Sequence, residues 1–253
     1  MPTIPILRFI PAIGWFLWIS LCCGPLYASG QQIPVSVQID ASVQKLEDKN
    51  HGVPAGTNPA SNVVVWLSPL DYPLGQKQQP HQRPRLTQRN KTFEPHLLVV
   101  EVGTVIDFPN RDPFFHNVFS LFDGKRFDLG LYEAGATNSA QFDRVGVSFL
   151  FCNIHPEMSA VVVAVNTPYY AISDRSGLAN FTKVPKGRYE MHVWSERGVP
   201  EDLKNQTRAV IISDAVKTLP PIHIAEYPDV KIAHKNKYGQ DYIPPPEKGY
   251  AHP

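Results

Sequence analysis

Short apolar segments separated by Gly, Pro, Asn and Asp dominate the chain after residue 30. In residues 33–40 every second residue is apolar, which is the period of a strand with one buried face. Residues 63–67 form a continuous apolar run, and no stretch longer than ten residues after residue 30 has the 3.6-residue period of an amphipathic helix. Further strands are predicted at 96–102, 105–108, 117–121, 147–152, 160–165, 178–182, 188–194, 208–212 and 222–225. Many short strands at this spacing predict an all-β sandwich or barrel.

The same pattern divides the chain into five parts. Residues 1–29 are a predicted leader, and residues 30–85 contain N-terminal strands and a loop rich in Pro and Gln. Residues 86–166 and 167–225 are predicted to be two strand-rich units, and the N-terminal strands could belong to either. Residues 226–253 contain Lys, Pro and Tyr without periodicity, which predicts a disordered tail.

The leader has the features of a secretory signal peptide. Arg8 is its single charge, an apolar run extends to Leu21, and small residues begin at Ala28. The run contains a proline and is shorter than the roughly 20 residues of a membrane span. Cys22 and Cys23 leave a lipid-modified start open. We therefore expect a periplasmic or secreted protein with no membrane span once the leader is removed.

The net charge of the chain indicates which kinds of partner to expect. The 24 Lys and Arg residues, less Arg8 of the leader, equal the 23 Asp and Glu residues, so the mature chain is formally neutral. Nucleic-acid binding depends on basic surfaces that contact many phosphates. No nucleic-acid partner is expected.

Residues 152–158 are the segment with the most distinctive chemistry. Removal of the leader leaves Cys152 as a lone thiol, explained either by buried packing or by metal ligation. Cys152 ends an apolar strand, and His155 and Met158 follow within seven residues, before the next strand. Thiolate, imidazole and thioether together suit copper, above all a trigonal His₂Cys site with a weak axial Met. His116, in a strongly apolar setting, offers the second imidazole, and one mononuclear copper centre is predicted. Zinc is the competing metal, since one Cys and two His can bind it with a fourth position open.

This combination of motifs has a recognisable counterpart. Phe-His-Asn-Val at 115–118, followed by Cys-x-x-His-x-x-Met at 152–158, resembles the plastocyanin and amicyanin group of blue copper proteins, the cupredoxins. Residues 90–195 more broadly resemble exported methylamine utilization proteins and plastocyanin-like proteins. Residues 174–189 resemble a transthyretin or carboxypeptidase-regulatory repeat. The resemblance implies a cupredoxin-like Greek-key β-sandwich with an additional small transthyretin/carboxypeptidase-regulatory-like β-sandwich unit.

The resemblance also implies roles for individual residues. His116 and His155 would be the imidazole ligands, Cys152 the thiolate and Met158 the axial thioether. Asn117 would tie the two ligand segments together by hydrogen bonding.

The sequence departs from the blue copper pattern at two positions. Ile154 stands where these proteins commonly have proline, and Glu157 places a carboxylate beside the axial position. Glu157 or His96 could therefore compete for the metal, and either would shift the centre away from an ordinary blue site.

The function expected from the residues and the resemblance is electron transfer, with a cytochrome or dehydrogenase as the redox partner. Two alternatives stay open: copper carriage, sensing or tolerance without redox turnover, and a structural β-sandwich with a vestigial site. An enzyme is not expected, because the sequence has no His-x-His pair for additional coppers and no Ser-His-Asp or phosphate-loop signature.

Overall fold

The computed structural model describes residues 32–43, 60–74, 82–121, 124–227 and 234–242. The predicted leader, with Cys22 and Cys23, lies outside the described residues. In chain order the strands are β1 (Gln32–Val43), β2 (Val64–Pro69), β3 (Thr87–Arg89), β4 (Thr92–Glu94), β5 (Leu97–Glu101), β6 (Thr104–Pro109), β7 (His116–Ser120), β8 (Phe127–Tyr132), β9 (Thr137–Phe142), β10 (Gly146–Phe151), β11 (Ser159–Val165), β12 (Tyr170–Ile172), β13 (Leu178–Pro185), β14 (Gly187–Trp194), β15 (Arg208–Ile212) and β16 (Ile222–Glu226). One short helix, α1 (Pro200–Asn205), occurs among the described residues. The all-β prediction is confirmed.

The first hydrophobic core lies in a sandwich built from β3 to β11. Its larger sheet has the order β5-β11-β10-β7-β8, and the pairs β6-β9 and β3-β4 contribute to the same core. Strand β11 runs parallel to β5 and antiparallel to β10, so the last strand returns beside the first strand of the sheet. This is the cupredoxin-like arrangement that the resemblance implied.

A second core lies between the sheets β13-β1-β16 and β12-β2-β14-β15. Strand β1 buries alternate residues, among them Val35, Val37 and Ile39, as its two-residue period predicts. Because β1 pairs with β13 and β16, and β2 pairs with β12 and β14, the N-terminal strands belong to this second core. Its predicted likeness to transthyretin and carboxypeptidase-regulatory units stays a prediction.

Strand β11 is buried on both faces. Ala160, Val162 and Ala164 pack in the first core. The alternate residues Val161 and Val163 pack in a third apolar cluster, which includes side chains of β2 and β5. A strand buried on both sides has a continuous apolar sequence, as this one does. Its pairing with β5 and β10 holds the end of the loop that precedes it.

No helix in the described part of the chain is long and apolar enough to cross a membrane. Residues 234–242, which the sequence placed in a disordered tail, contact the loop between β10 and β11. Residues 228–233 and 243–253 of that tail lie outside the described residues.

Candidate metal centre

The ligand loop, residues 152–158, is clamped between paired strands. Phe151 at the end of β10 pairs with Ser159 at the start of β11. Inside the loop, the Cys152 N–H donates to the Met158 carbonyl at 3.3 Å, and the Met158 N–H donates to the His155 carbonyl at 3.0 Å. The apolar strands on both sides therefore fix where Cys152 and His155 point.

His116 reaches the same place from a distant part of the sequence. It is the first residue of β7, which lies beside β10 through the pairing of Phe119 with Phe151. Its ring is fully buried. The register between β7 and β10 thus brings the upstream histidine to the ligand loop.

The three side chains His116, Cys152 and His155, here called the ligand triad, converge on one point. The Cys152 Sγ lies 3.7 Å from the His116 Nδ1 and 3.6 Å from the His155 Nδ1, and the two Nδ1 atoms are 3.2 Å apart. The point equidistant from the three atoms is about 2.0 Å from each, which is close to the length of a metal–nitrogen bond. One sulfur and two imidazoles in a triangle are a donor set that fits copper.

Asp112 determines which nitrogen of His116 is available, and sequence reasoning missed it. Its buried carboxylate lies 2.8 Å from the His116 Nε2. An ionised carboxylate only accepts hydrogen bonds, so the Nε2 carries the proton and the Nδ1 lone pair faces the triad. The signal in the sequence was an acid four residues before the histidine.

Backbone donors keep Asp112 ionised. Burial alone would raise the pKa of its carboxyl, but hydrogen bonds from the Lys91 N–H, the His116 ring and the Asn90 N–H lower the pKa below its usual value. The two backbone bonds measure 2.9 Å for Lys91 and 2.6 Å for Asn90. The β3–β4 turn therefore holds the residue that orients His116.

Two opposing effects act on the pKa of the Cys152 thiol. Burial raises the pKa of its thiol, and backbone N–H groups of Ile154, Asn117 and His155 act in the other direction. The net pKa is raised, so the metal-free cysteine is a thiol at neutral pH. The same N–H donors are positioned to stabilise a thiolate once a cation replaces the proton.

Asn117 makes hydrogen bonds through both its side chain and its backbone. Its side-chain Nδ2 donates to the Asp128 carboxylate at 2.7 Å and to the Gly130 carbonyl at 2.9 Å. Its contact with Cys152 is made by the backbone N–H. The tie between the two ligand segments is therefore a main-chain hydrogen bond.

The three remaining candidate ligands lie in different environments. Met158 is fully buried in the same core as Cys152. Glu157 is exposed. His96 is bound by Glu196 at 2.7 Å and by the Ser159 carbonyl at 3.1 Å. Among the His, Cys, Asp and Glu residues that the structure describes, neither Glu157 nor His96 belongs to the cluster formed by the triad.

His155 is the half-buried member of the triad. Burial lowers the pKa of its ring, and the nearby His116 and Lys91 lower it further. The Phe114 ring lies 5.2 Å from the ring of His116 and 5.6 Å from that of His155. The His155 ring is thus neutral at pH 7, and the Phe114 ring lies against both histidines of the triad.

Comparisons with known proteins give similarities of fold. No protein-family profile and no curated protein matches this sequence. A purple cupredoxin from Nitrosopumilus maritimus is similar, with 22% identity and a TM-score of 0.30, over 32% of this chain and 99% of that chain. An oxidised amicyanin variant has 22% identity and a TM-score of 0.31, over 33% of this chain and 82% of that chain. A copper-containing nitrite reductase from Thermus scotoductus SA-01 has 19% identity and a TM-score of 0.34, over 50% of this chain and 28% of that chain. At these identities and TM-scores the likeness is one of fold and carries nothing about what this chain binds.

Proposed function

We propose that the protein is an exported copper protein of cupredoxin type that transfers single electrons through one mononuclear centre. The observation that carries the proposal is the convergence of one thiol sulfur and two ring nitrogens, 3.2–3.7 Å apart, on a buried point. Copper bound there would supply one-electron chemistry by alternating between Cu(I) and Cu(II). Cys152, His116 and His155 would hold it, with Met158 as the weak axial ligand. The leader pattern of residues 1–29 supports export.

The protein's own residues favour rapid electron exchange. The ligand loop is closed by internal hydrogen bonds and bounded by paired strands, and Asp112 holds the His116 ring. The protein's own hydrogen bonds and strand pairing therefore fix the positions of the ligand atoms. Such preorganisation leaves little structural change to accompany a change of oxidation state.

An apolar surface beside His155 is the proposed entry point for electrons. The exposed Phe114 ring lies 5.6 Å from the half-buried His155 ring. Its sequence neighbour Phe115 is also exposed, as is Ile154, the residue before His155. Large exposed apolar side chains that cluster together are typical of protein interaction sites. A cytochrome or dehydrogenase would dock here and exchange an electron with the metal through His155.

A visible absorption spectrum of the copper-loaded protein tests the metal centre. We expect a strong thiolate-to-copper charge-transfer band that disappears in Cys152→Ala. Met158→Leu should keep the band and change the reduction potential, because the axial ligand tunes it. Met191→Leu is the matched control, since Met191 is equally buried but lies in the second core. A colourless Cu(II) form of the wild type would contradict the proposal.

Copper carriage without redox turnover is the second candidate. The second core favours it, because a simple electron carrier has no need of the additional sheets. Stopped-flow reduction by a periplasmic cytochrome separates the two functions. If the function is electron transfer, reduction should be fast, should slow in Phe115→Ala and should be unchanged in Ile211→Ala. Ile211 is the control because it is an exposed apolar residue on β15, a strand of the second unit. Slow reduction that is insensitive to Phe115→Ala would favour carriage.

A further inference from the structure

Residues 234–242, here called the strap, lie against the ligand loop from the far end of the chain. Hydrogen bonds from the strap reach Cys152, Asn153 and Pro156. An aromatic contact reaches Phe151, the residue before the loop. These hydrogen bonds join residues that are 78 to 90 positions apart in the sequence, and none of them is made by a side chain of the ligand triad.

Tyr242 contacts the backbone of the thiolate ligand directly. Its hydroxyl donates to the Cys152 carbonyl at 2.8 Å and lies 3.3 Å from the His234 Nδ1. A carbonyl oxygen only accepts hydrogen bonds, so the Tyr242 hydroxyl is the donor in this contact.

His234 contacts both the strand before the ligand loop and the loop itself. Its ring stacks on Phe151 with 3.7 Å between centroids and 22° between planes. Its Nε2 lies 2.8 Å from the Pro156 carbonyl, so this nitrogen donates. The ring thus bridges the strand that delivers Cys152 and the residue that follows His155.

Lys237 extends the strap to the second ligand segment. Its N–H donates to the Asn153 side chain at 3.0 Å, and its Nζ pairs with Asp128 at 2.7 Å. Asp128 in turn accepts from Asn117, the residue after His116. One short segment therefore connects the surroundings of Cys152 and of His116.

We propose that Tyr242 and His234 are positioning residues of the metal centre, which hold the Cys152–Pro156 backbone in the geometry that the ligands need. The inference rests on the proposed copper function. A strained or mobile ligand loop would alter the metal–sulfur geometry, so the strap sets the charge-transfer band, the reduction potential and the rate of metal loss. Without it, the hydrogen bonds inside the loop would be the main restraint on Cys152.

The test uses full-length protein with Tyr242→Phe, which removes one hydroxyl and keeps the ring. Tyr238→Phe is the matched control, because Tyr238 is an exposed strap residue that packs on Lys237. Loss of one hydrogen bond should speed copper release into a chelator about three- to tenfold. It should also shift the band and the potential, whereas Tyr238→Phe should leave all three unchanged.

His234→Ala provides a second perturbation of the strap, which leaves the Tyr242 hydroxyl in the protein. His223→Ala is its control, since His223 is exposed on β16 of the second core. We expect His234→Ala to speed copper release at least as much as Tyr242→Phe, because both the ring stack and the hydrogen bond to Pro156 are lost. A band, potential and release rate equal to those of the wild type in both variants would overturn the role of the strap and leave the copper function standing.

Amide hydrogen exchange in the metal-free protein decides the inference independently of copper. Exchange at residues 153–155 should be faster in Tyr242→Phe and His234→Ala than in the wild type, and unchanged in Tyr238→Phe. If the wild type shows no charge-transfer band, the proposed function fails on its own account. Unchanged exchange at residues 153–155 in both strap variants would then refute the restraint as well.

Discussion

The substitution Asp112→Asn tests how the protein orients a metal ligand. In the wild type, Asp112 Oδ2 accepts from the His116 Nε2–H and the Lys91 N–H, and Oδ1 accepts from the Asn90 N–H. Asparagine replaces one of these oxygens by an NH₂ group. Whichever way the amide turns, one donor of this buried site faces another donor.

The magnitude follows from the two roles of the carboxylate. A hydrogen-bonding partner that orients a metal-bound histidine contributes about 10- to 100-fold to metal affinity, which corresponds to about 1.4–2.7 kcal/mol. A buried donor without an acceptor costs about 1–3 kcal/mol of folding free energy. We expect Asp112→Asn to lower copper affinity by that factor and to destabilise the metal-free protein by that amount.

Two measurements separate these effects. Competition for Cu(I) with a chelator at pH 7.5 gives the affinity, and guanidinium unfolding of the metal-free protein gives the stability. Asp107→Asn is the matched control, because Asp107 on β6 bonds Ser139 and Arg83 at the surface. If Asp112→Asn binds copper within about threefold of the wild type, well below the expected loss, Asp112 does not orient His116.

Three further predictions follow from the pKa shifts and from packing. The pKa of the Cys152 thiol is raised and that of the His155 ring is lowered, so metal binding displaces one proton, which comes from Cys152. Apparent Cu(I) affinity, measured by competition with a chelator, should therefore rise about tenfold per pH unit between pH 7 and 8.5. Leu150→Ala removes a fully buried side chain of the first core and should cost about 2–5 kcal/mol in guanidinium unfolding. Gly177→Ala should be more destabilising than Gly135→Ala in the same assay. Both glycines have φ near +80°, but an added Cβ at Gly177 would clash with the Ile39 backbone oxygen, whereas at Gly135 it meets nothing within 4 Å.

Each of these predictions has an outcome that contradicts it. An affinity independent of pH would mean that the metal-free cysteine is already a thiolate. For the leucine, Leu131→Ala is the control, since Leu131 is exposed and its loss should change stability by less than about 0.5 kcal/mol. Equal losses at both leucines would contradict the assigned core, and equal losses at both glycines would mean that backbone strain alone accounts for their cost.

Much of the fold was predictable because its signals are local. The two-residue period of β1 and the continuous apolar run of β11 follow from side-chain directions along a strand, which the sequence displays directly. The spacing of Cys152, His155 and Met158 between two strands likewise identified the ligand loop. His116 was predictable as a candidate from its apolar setting and from the family resemblance.

Only the tertiary structure decided which distant segments meet. Strand β1 could have joined either core, and it pairs with β13 and β16 because this buries its apolar face. His96 had the chemistry of a ligand, but the fold places it against Glu196.

The tertiary structure also decided which residues contact the ligand triad and the ligand loop. Asp112 reaches His116, and the strap reaches the ligand loop from a stretch without periodicity. The physical reason is that strand and loop propensities act over a few neighbouring residues. Contacts between remote residues depend instead on how the complete set of apolar faces is buried, and no single segment encodes that.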